Sequence, residues 1–433
     1  MGIALRALEV RARLGLSLVA MEKTMTNKGN ELFASSTLPP GGATDLVCFS
    51  HLRWDFVYQR PQHLLSRCAR ERRVFFVEEP IYGNGSMRLN VRETDSGVHV
   101  VVPQLPEGLR SEIAINAVMR EMTRQLFIDH EIKDYVFWYY TPMALNFTAH
   151  LKPIAAVYDC MDELAAFKGA HSELPALEKQ LFNYVDLVFT GGQSLYEAKR
   201  GQHPAVYAFP SSIDALHFGK ARQAVQDPQD QAHIPHPRLG FFGVIDERFD
   251  TELLDRVAAK RPDWQFVIIG PVVKIAQEAL PSRANIHYLG GKTYSELPDY
   301  LAGWDIALLL FARNESTRFI SPTKTPEYLA AGKPVISTSI RDVVRPYGDL
   351  KLVEIADTDD EFIAAAERIL STPSARSEWL QRVDTFLENI SWDKTWGQMS
   401  DLISQVIERK RPARSTSVPL NRVSQRAGAG AST

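Results

Sequence analysis

The chain has 433 residues, 45% of them hydrophobic and 23% charged, with a formal net charge of −3. That length exceeds what one compact core fills and points to two or three domains, and the charge balance gives no global footprint for nucleic acid. No stretch reaches the roughly 18 apolar residues of a membrane span, and Cys48, Cys68 and Cys160 lie far apart without metal-ligand spacing, which suits packed thiols in a reducing compartment.

Residues 1–43 read as a flexible leader. Arg6, Arg11 and Arg13 interrupt the apolar run that a signal peptide needs, the stretch closes on Pro39-Pro40-Gly41-Gly42, and Met21 and Met25 are alternative starts. From residue 44 onward short apolar runs alternate with amphipathic ones. Strands are expected at Asp45–Ser50, Val74–Glu78, 135–140, 154–158 and Leu187–Thr190, with helices over 61–70, 111–127 and Leu174–Tyr184. This alternation implies a parallel sheet covered on both faces and a first domain at 44–212. Residues 219–237 are rich in Gln, Asp, His and Pro with little to bury, which places a linker at 213–237. The rhythm then restarts, with strands at 238–243, Gln265–Ile269, 286–289, 306–310, 335–338 and 352–355. A second domain is expected at 238–390 and a closing helix at 391–408. The fold class is α/β, two doubly wound Rossmann-like domains facing across a cleft, and ligands of such sheets bind outside the C-terminal strand ends. Residues 409–433, with Arg409, Lys410, Arg411, Arg414, Arg422 and Arg426 and no acidic residue, read as a disordered basic tail with a weak pull toward an anionic membrane surface.

The most informative stretch runs from Ser321 to Thr338: a polar loop, a short helix stopped by Gly332, and a buried strand from Val335. Lys324 and Glu327 sit at or near the helix start. The free N–H groups and partial positive charge of a helix N-terminus attract phosphate, and Lys324 adds a compact cation. The Glu327 carboxylate suits vicinal sugar hydroxyls, so the pair matches a nucleoside diphosphate-sugar. The competing reading is a first-turn carboxylate beside a solvated lysine. Earlier, His51-Leu-Arg-Trp-Asp-Phe-Val-Tyr-Gln-Arg-Pro61 links the first strand to its helix, with Pro61 suited to a first helical position. Planar Arg53 and Arg60 can fork to phosphate and Trp54 can stack on a sugar. The loop, His51 included, is therefore placed on the acceptor side, with a domain-interface role as the alternative. Gly191-Gly192 serves either the approach of a ligand or a tight turn.

Several ordered pieces carry a family resemblance. Phe209-Pro-Ser-Ser-Ile-Asp-Ala-Leu-His-Phe218 is similar to a crossover "P-N-G-V-D…F", and Asn285-Ile-His-Tyr-Leu-Gly290 followed by Leu297-Pro-Asp-Tyr-Leu-Ala-Gly-Trp-Asp305 to "v-x-f-l-G…e-l-p-x-l-y-x-x-a-D". Glu327-Tyr-Leu-Ala-Ala-Gly-Lys-Pro-Val-Ile-Ser-Thr338 resembles "E-y-m-A-x-G-k-P-V-v-a-s", and Ser391-Trp392-Asp393 a closing "s-W" helix. Together they cover nearly all of residues 205–408 and resemble the retaining GT-B glycosyltransferases that build bacterial surface polysaccharides. Phe49–Leu64 and Val157-Tyr-Asp-Cys-Met-Asp-Glu163 look like the subgroup with the teichuronic-acid biosynthesis glycosyltransferases.

The resemblance implies roles. Glu327 matches the second Glu of a Glu-x7-Glu motif, which bonds the donor ribose; the first falls at Phe319, so its work would pass to Glu315 or to backbone groups of 320–323. In the loop Gly243-Val-Ile-Asp-Glu-Arg-Phe-Asp250, Arg248 is the expected diphosphate-neutralising arginine. No lysine follows at the family's place, so Lys324 substitutes, with Arg318 as a further candidate. A surface pairing of Arg248 with Asp246 or Asp250 is the alternative. Tyr158 stands where the family has His in "v-H-D"; Asp159 is read as the site carboxylate, and Asp162 as a helix cap or an acceptor-side group. The expected set is thus Asp159, Lys324 and Arg248 for catalysis, Glu327, Gly243, Arg318, Ser321 and Thr323 for the donor, and His51, Arg53, Trp54, Arg60 and Asp162 on the acceptor side. The implied activity is sugar transfer with retention, from a nucleoside diphosphate-sugar (UDP favoured over GDP) to a lipid-linked or polysaccharide acceptor. It needs no cofactor or metal, and the site is cytoplasmic or peripheral at the inner membrane face. A non-hydrolysing sugar-nucleotide epimerase and a catalytically silent scaffold are the rival readings.

Overall fold

The computed structural model describes residues 44–223 and 226–410; the leader at 1–43 and the tail at 411–433 lie outside the described residues. The strands of the first half are β1 Asp45–Ser50, β2 Val74–Glu78, β3 Ile81–Gly83, β4 Arg88–Glu93, β5 Val98–Pro106, β6 Tyr135–Tyr139, β7 Ala155–Cys160, β8 Leu187–Thr190 and β9 Val206–Ala208. They form one sheet in the order β3-β5-β2-β1-β6-β7-β8-β9, with β4 also on β5. Every pairing is parallel except β4 with β5. The antiparallel β4 is absent from the sequence expectation because its Arg, Asn and Glu side chains hide the strand period, and most of it is exposed. Those charges also blunt a sheet edge that would otherwise invite pairing with another chain.

The second sheet holds β10 Arg238–Phe242, β11 Gln265–Ile269, β12 Ile286–Gly290, β13 Ile306–Leu309, β14 Val335–Ser337 and β15 Glu354–Ile355, all parallel, in the order β12-β11-β10-β13-β14-β15. At the centre of each sheet the chain order reverses, between β1 and β6 in the first and between β10 and β13 in the second. Crossovers leave such reversals as crevices beyond the C-terminal strand ends, where ligands of doubly wound sheets bind.

Burial follows the two-residue period of the strands. Leu46 and Cys48 face one cluster with Val136 and Trp138, while Val47 and Phe49 face another with Phe137 and Tyr139. The final helix, Trp392–Lys410, lays Trp392, Trp396, Met399 and Ile403 on the first of these clusters. The Trp396 indole donates to Glu71 at 2.8 Å. The segment expected as a spare linker is built into the second domain instead. Ile213, Phe218, Ala221 and Ile234 are buried with Trp304 and Tyr328. Gln231, fully buried, accepts the Trp304 indole N–H at 2.9 Å and donates to Tyr300 O at 3.0 Å. Its polar composition misleads because those polar groups bond inward. Cys48, Cys68 and Cys160 are buried free thiols. Among the described residues no helix is long and apolar enough to cross a membrane.

Candidate active site in the interdomain cleft

The short helix Lys324–Ala330 is fixed at the end of β10 by Tyr328, which is fully buried and accepts the Phe242 N–H at 3.0 Å. That anchor sets Lys324 and Glu327 beside the second crevice. Lys324 folds over Gly243: a Cβ there would lie 2.5 Å from its Nζ and still nearer Cε, and the residue has φ +140°. Only glycine leaves room for the lysine in that backbone geometry. Glu327 is buried, at 7% exposure, yet its carboxylate takes no hydrogen bond among the described residues. Burial raises the Glu327 pKa, offset by the Lys324 charge, and burial lowers that of Lys324. A diphosphate would favour the lysine's charged form, and ribose hydroxyls would satisfy the carboxylate. The helix has only seven residues, so its end adds little to the field of Lys324.

Tyr294, which the sequence reading missed, completes this corner. Its ring stacks on His217 at 4.2 Å and on Tyr58 of the first domain at 4.5 Å, and its buried hydroxyl has no partner among the described residues. Burial, and then the Glu327 carboxylate, push its phenol pKa up. Nothing in its neighbourhood of sequence distinguishes it from a surface tyrosine.

Beyond Lys324 the cleft is lined by charges from both domains. Arg248 grips Asp246 with two nitrogens, at 2.7 and 3.0 Å, and its Nη1 bonds nothing among the described residues. Asp246 is 3% exposed, so the pair weighed as a surface feature is an interior one that aims the guanidinium. Arg248 also stands 5.3 Å from the ring of Phe167, a first-domain residue, and Lys274 stands 5.0 Å from the same ring. Asp162 is pushed up to about 6 by burial, against the pull of the Arg248 charge. His51 is pushed down to about 4, again chiefly by burial, so it is neutral; its Nδ1 is buried without a partner among the described residues.

Several expected site residues work elsewhere. Asp159 has no exposure and holds Arg60 with both oxygens, at 2.8 to 3.1 Å, while Arg60 also donates to Phe209 O at 2.7 Å. The two are a buried strut tying β7 to the helix Arg60–Cys68 and to the crossover. The cap weighed for Asp162 is not formed: the following turn, Leu164–Ala166, begins at Glu163 without a side-chain cap. Arg53 donates to Glu78 at 2.9 Å and to the carbonyls of Glu79 and Pro80, and Trp54 packs edge-on to Phe76 at 5.1 Å. Both brace the loop against β2 inside the first domain, which is not the domain-interface role weighed against ligand contact. Arg318 is 64% exposed and 3.6 Å from the equally open Glu315, so neither is held toward the donor. Ser321 accepts the Ser211 hydroxyl through its carbonyl at 3.0 Å, and Thr323 begins the helix without a side-chain cap. Phe319 packs against the first domain's cluster with Tyr158 and Cys160.

The pair Gly191-Gly192 is a close-packed bend, where a Cβ on Gly191 would lie 2.5 Å from the Met161 carbonyl oxygen. A Cβ on Gly192 would strike the Asp342 carboxylate and come within 2.7 Å of Ser321 Cβ, so this glycine admits the second domain. Asp342 in turn accepts the Ser194 N–H at 3.0 Å, and Arg341 pairs with Glu197. Outside these groups Glu112, His171 and Glu173 have metal-ligand spacing, but His171 is committed through both ring nitrogens, to Glu112 at 2.9 Å and the Glu173 N–H at 3.3 Å.

Comparison with known proteins agrees with this architecture. The profile of the glycosyl transferases group 1 family matches residues 237–372. A Bacillus subtilis (strain 168) protein provisionally named the teichuronic acid biosynthesis glycosyltransferase TuaH is 30% identical over 140 residues, which is 30% of this chain and only 34% of that protein. Sucrose-phosphate synthase from Thermosynechococcus elongatus superposes with a TM-score of 0.64 at 13% identity, over 85% of this chain and 100% of that one. The E. coli trehalose-6-phosphate protein bound with UDP-2-fluoro glucose does so with 0.61 at 14% identity, over 84% and 99%. The chain has the GT-B glycosyltransferase fold, and its residues 237–372 are similar to the glycosyl transferases group 1 family.

Proposed function

We propose that the protein transfers a sugar from a nucleoside diphosphate-sugar to a saccharide or lipid-linked acceptor in the building of a cell-surface polymer. One observation carries the reading: a buried, unpartnered Glu327 carboxylate one helical turn from Lys324, which lies over Gly243 at the strand-order reversal of the second sheet. The E. coli neighbour's UDP-2-fluoro glucose supports a UDP donor, and the similarity to TuaH supports a cell-wall polymer as product. Glu327 would take the ribose diol. Lys324 and Arg248 would take the charge that grows on the diphosphate as its bond to the anomeric carbon breaks, with no divalent ion required. Groups of this kind act at the transition state, and losing one costs about 10²–10³ in rate. Asp162 would orient the incoming hydroxyl, and closure of the domains would keep water from the donor. Retention of configuration and a cytoplasmic site, peripheral to the membrane, are part of the same reading and rest on the family resemblance.

A second reading, nucleotide binding without transfer, draws on Tyr158, whose hydroxyl is spent on Glu178 at 2.9 Å, and on Phe319, which packs where a carboxylate was sought. Calorimetric titration of UDP, GDP and ADP into wild type and Glu327→Ala, with and without magnesium, tests the donor site. Micromolar binding of one nucleotide without metal, weakened at least about tenfold in the variant, supports it. Equal binding by both proteins removes it. Radiolabelled donor supplied with and without acceptor then separates transfer, acceptor-free turnover by an epimerase, and silence.

A further inference from the structure

Glu247 lies in the loop between β10 and the helix Thr251–Lys260, held by main-chain bonds from both neighbouring loops. Val273 N–H reaches Ile245 O at 3.0 Å, and Ala312 N–H reaches Arg248 O at 2.8 Å. Both oxygens of its carboxylate are buried, and neither accepts a hydrogen bond among the described residues. The nearest cation is Lys274, 3.5 Å from Oε1. Lys274 itself has φ +63°, a left-handed conformation unusual for a residue with a side chain. Phe167 from the opposite domain covers this lysine and Arg248 together. Across the cleft stands His51, whose buried Nδ1 is also unpartnered and whose ring lies in reach of the Lys274 charge.

Buried carboxylates are rarely left without donors, because an ionised one gives up hydration worth several kcal/mol. Two empty oxygens offer four lone-pair sites in one plane, which fits a pair of adjacent hydroxyls, and a neutral imidazole can accept or donate one bond more. Lys274 faces the carboxylate from 3.5 Å without filling those sites. Glu247 precedes Arg248 in the loop, and its Lys274 partner shares the Phe167 ring with that arginine, so the carboxylate borders the place the proposed donor site gives to the diphosphate. A sugar joined to that diphosphate would lie within its reach.

On the footing of the proposed donor site, we infer that Glu247, faced by Lys274, reads vicinal hydroxyls of the donor's sugar, with His51 as its partner across the cleft. Phe319 stands where a carboxylate was sought, and Glu247 would fill that need from the adjoining loop, whose carbonyl accepts the Asn314 side-chain N–H at 3.2 Å.

The test compares nucleotide with sugar nucleotide. UDP, UDP-glucose, UDP-galactose and GDP-mannose are titrated into full-length wild type and Glu247→Gln. The expected result is an unchanged Kd for UDP and a Kd for at least one sugar nucleotide weakened about tenfold, the worth of a hydrogen bond to a charged group. Lys274→Met should weaken the same sugar nucleotide in the same direction while sparing UDP. Loss of UDP binding in Glu247→Gln would place Glu247 in the nucleotide site or the fold and overturn the inference. Equal behaviour of every sugar nucleotide in the two proteins would overturn it too, leaving the donor site standing. Failure of wild type to bind any nucleotide would remove the donor site and this inference with it.

Discussion

Lys324 rests its side chain against the backbone of Gly243, and the two are one structural unit: the lysine has no other place at the end of β10, and the glycine has no room for a Cβ. Gly243→Ala should therefore act on ligand through the lysine as well as through strain at φ +140°. UDP binding is expected to weaken about tenfold or more in Gly243→Ala and in Lys324→Ala, and the double variant should lose little beyond either single one. Calorimetry on the four proteins measures the coupling. Additive losses would mean that the lysine does not depend on this backbone.

Arg60 and Asp159 test the opposite kind of site. Both are buried, and removing one member leaves a charge in the interior with nothing to neutralise it. Asp159→Ala should cost about 3–5 kcal/mol of stability, a melting point lower by on the order of 10 °C. UDP binding by the folded fraction should be unchanged. A variant that melts normally and has lost only turnover would restore Asp159 to the chemistry.

The contrast shows what sequence makes legible. The strand runs of both sheets stood out because parallel strands buried on both faces are continuous apolar runs, as in Val74–Glu78 and Ile306–Leu309. Lys324 and Glu327 could be placed because a local helix fixes them against the strand beside it. Asp159 and Asp162, three residues apart, could not be told from one another. The choice depends on where Arg60 comes to rest, 99 residues away in sequence. Lys274, Phe167 and Tyr294 were hidden for the same reason: each matters only through what the other domain brings to it.

Asp162 should show itself in pH dependence. Its carboxyl is pushed up to about 6 from an ordinary 3.8. An acid with a raised folded pKa favours the folded state fully below 3.8, and that contribution is lost as pH rises through 6. Asp162→Asn, which cannot ionise, should melt higher than wild type at pH 7, and the difference should vanish near pH 4. If Asp162 also orients the acceptor, wild-type kcat/KM should fall below pH 6 with a one-proton slope that the variant lacks. Identical melting of the two proteins at pH 7 would show that the carboxylate is not penalised by its surroundings.

The domains meet through a latch that a single methyl group should spring. Gly192 lies under Ser321 and Asp342, and Asp342 closes on the Ser194 N–H while Arg341 holds Glu197. Gly192→Ala puts a Cβ against the Asp342 carboxylate without touching Lys324, Glu327 or either sheet. The cost falls on the approach of the two halves, because the Asp342 carboxylate is pinned by the Ser194 N–H and Arg341, and Ser321 meets the new atom with its Cβ. Small-angle scattering of the variant should show a larger radius of gyration than wild type, while UDP, held by the second domain, binds within about twofold of wild type. If turnover uses His51 and Asp162 over the donor, as the proposed function has it, it should drop by an order of magnitude or more, as misplaced catalytic groups typically cause. An unchanged radius with unchanged turnover would mean that the contact around Gly192 yields locally and does not govern closure.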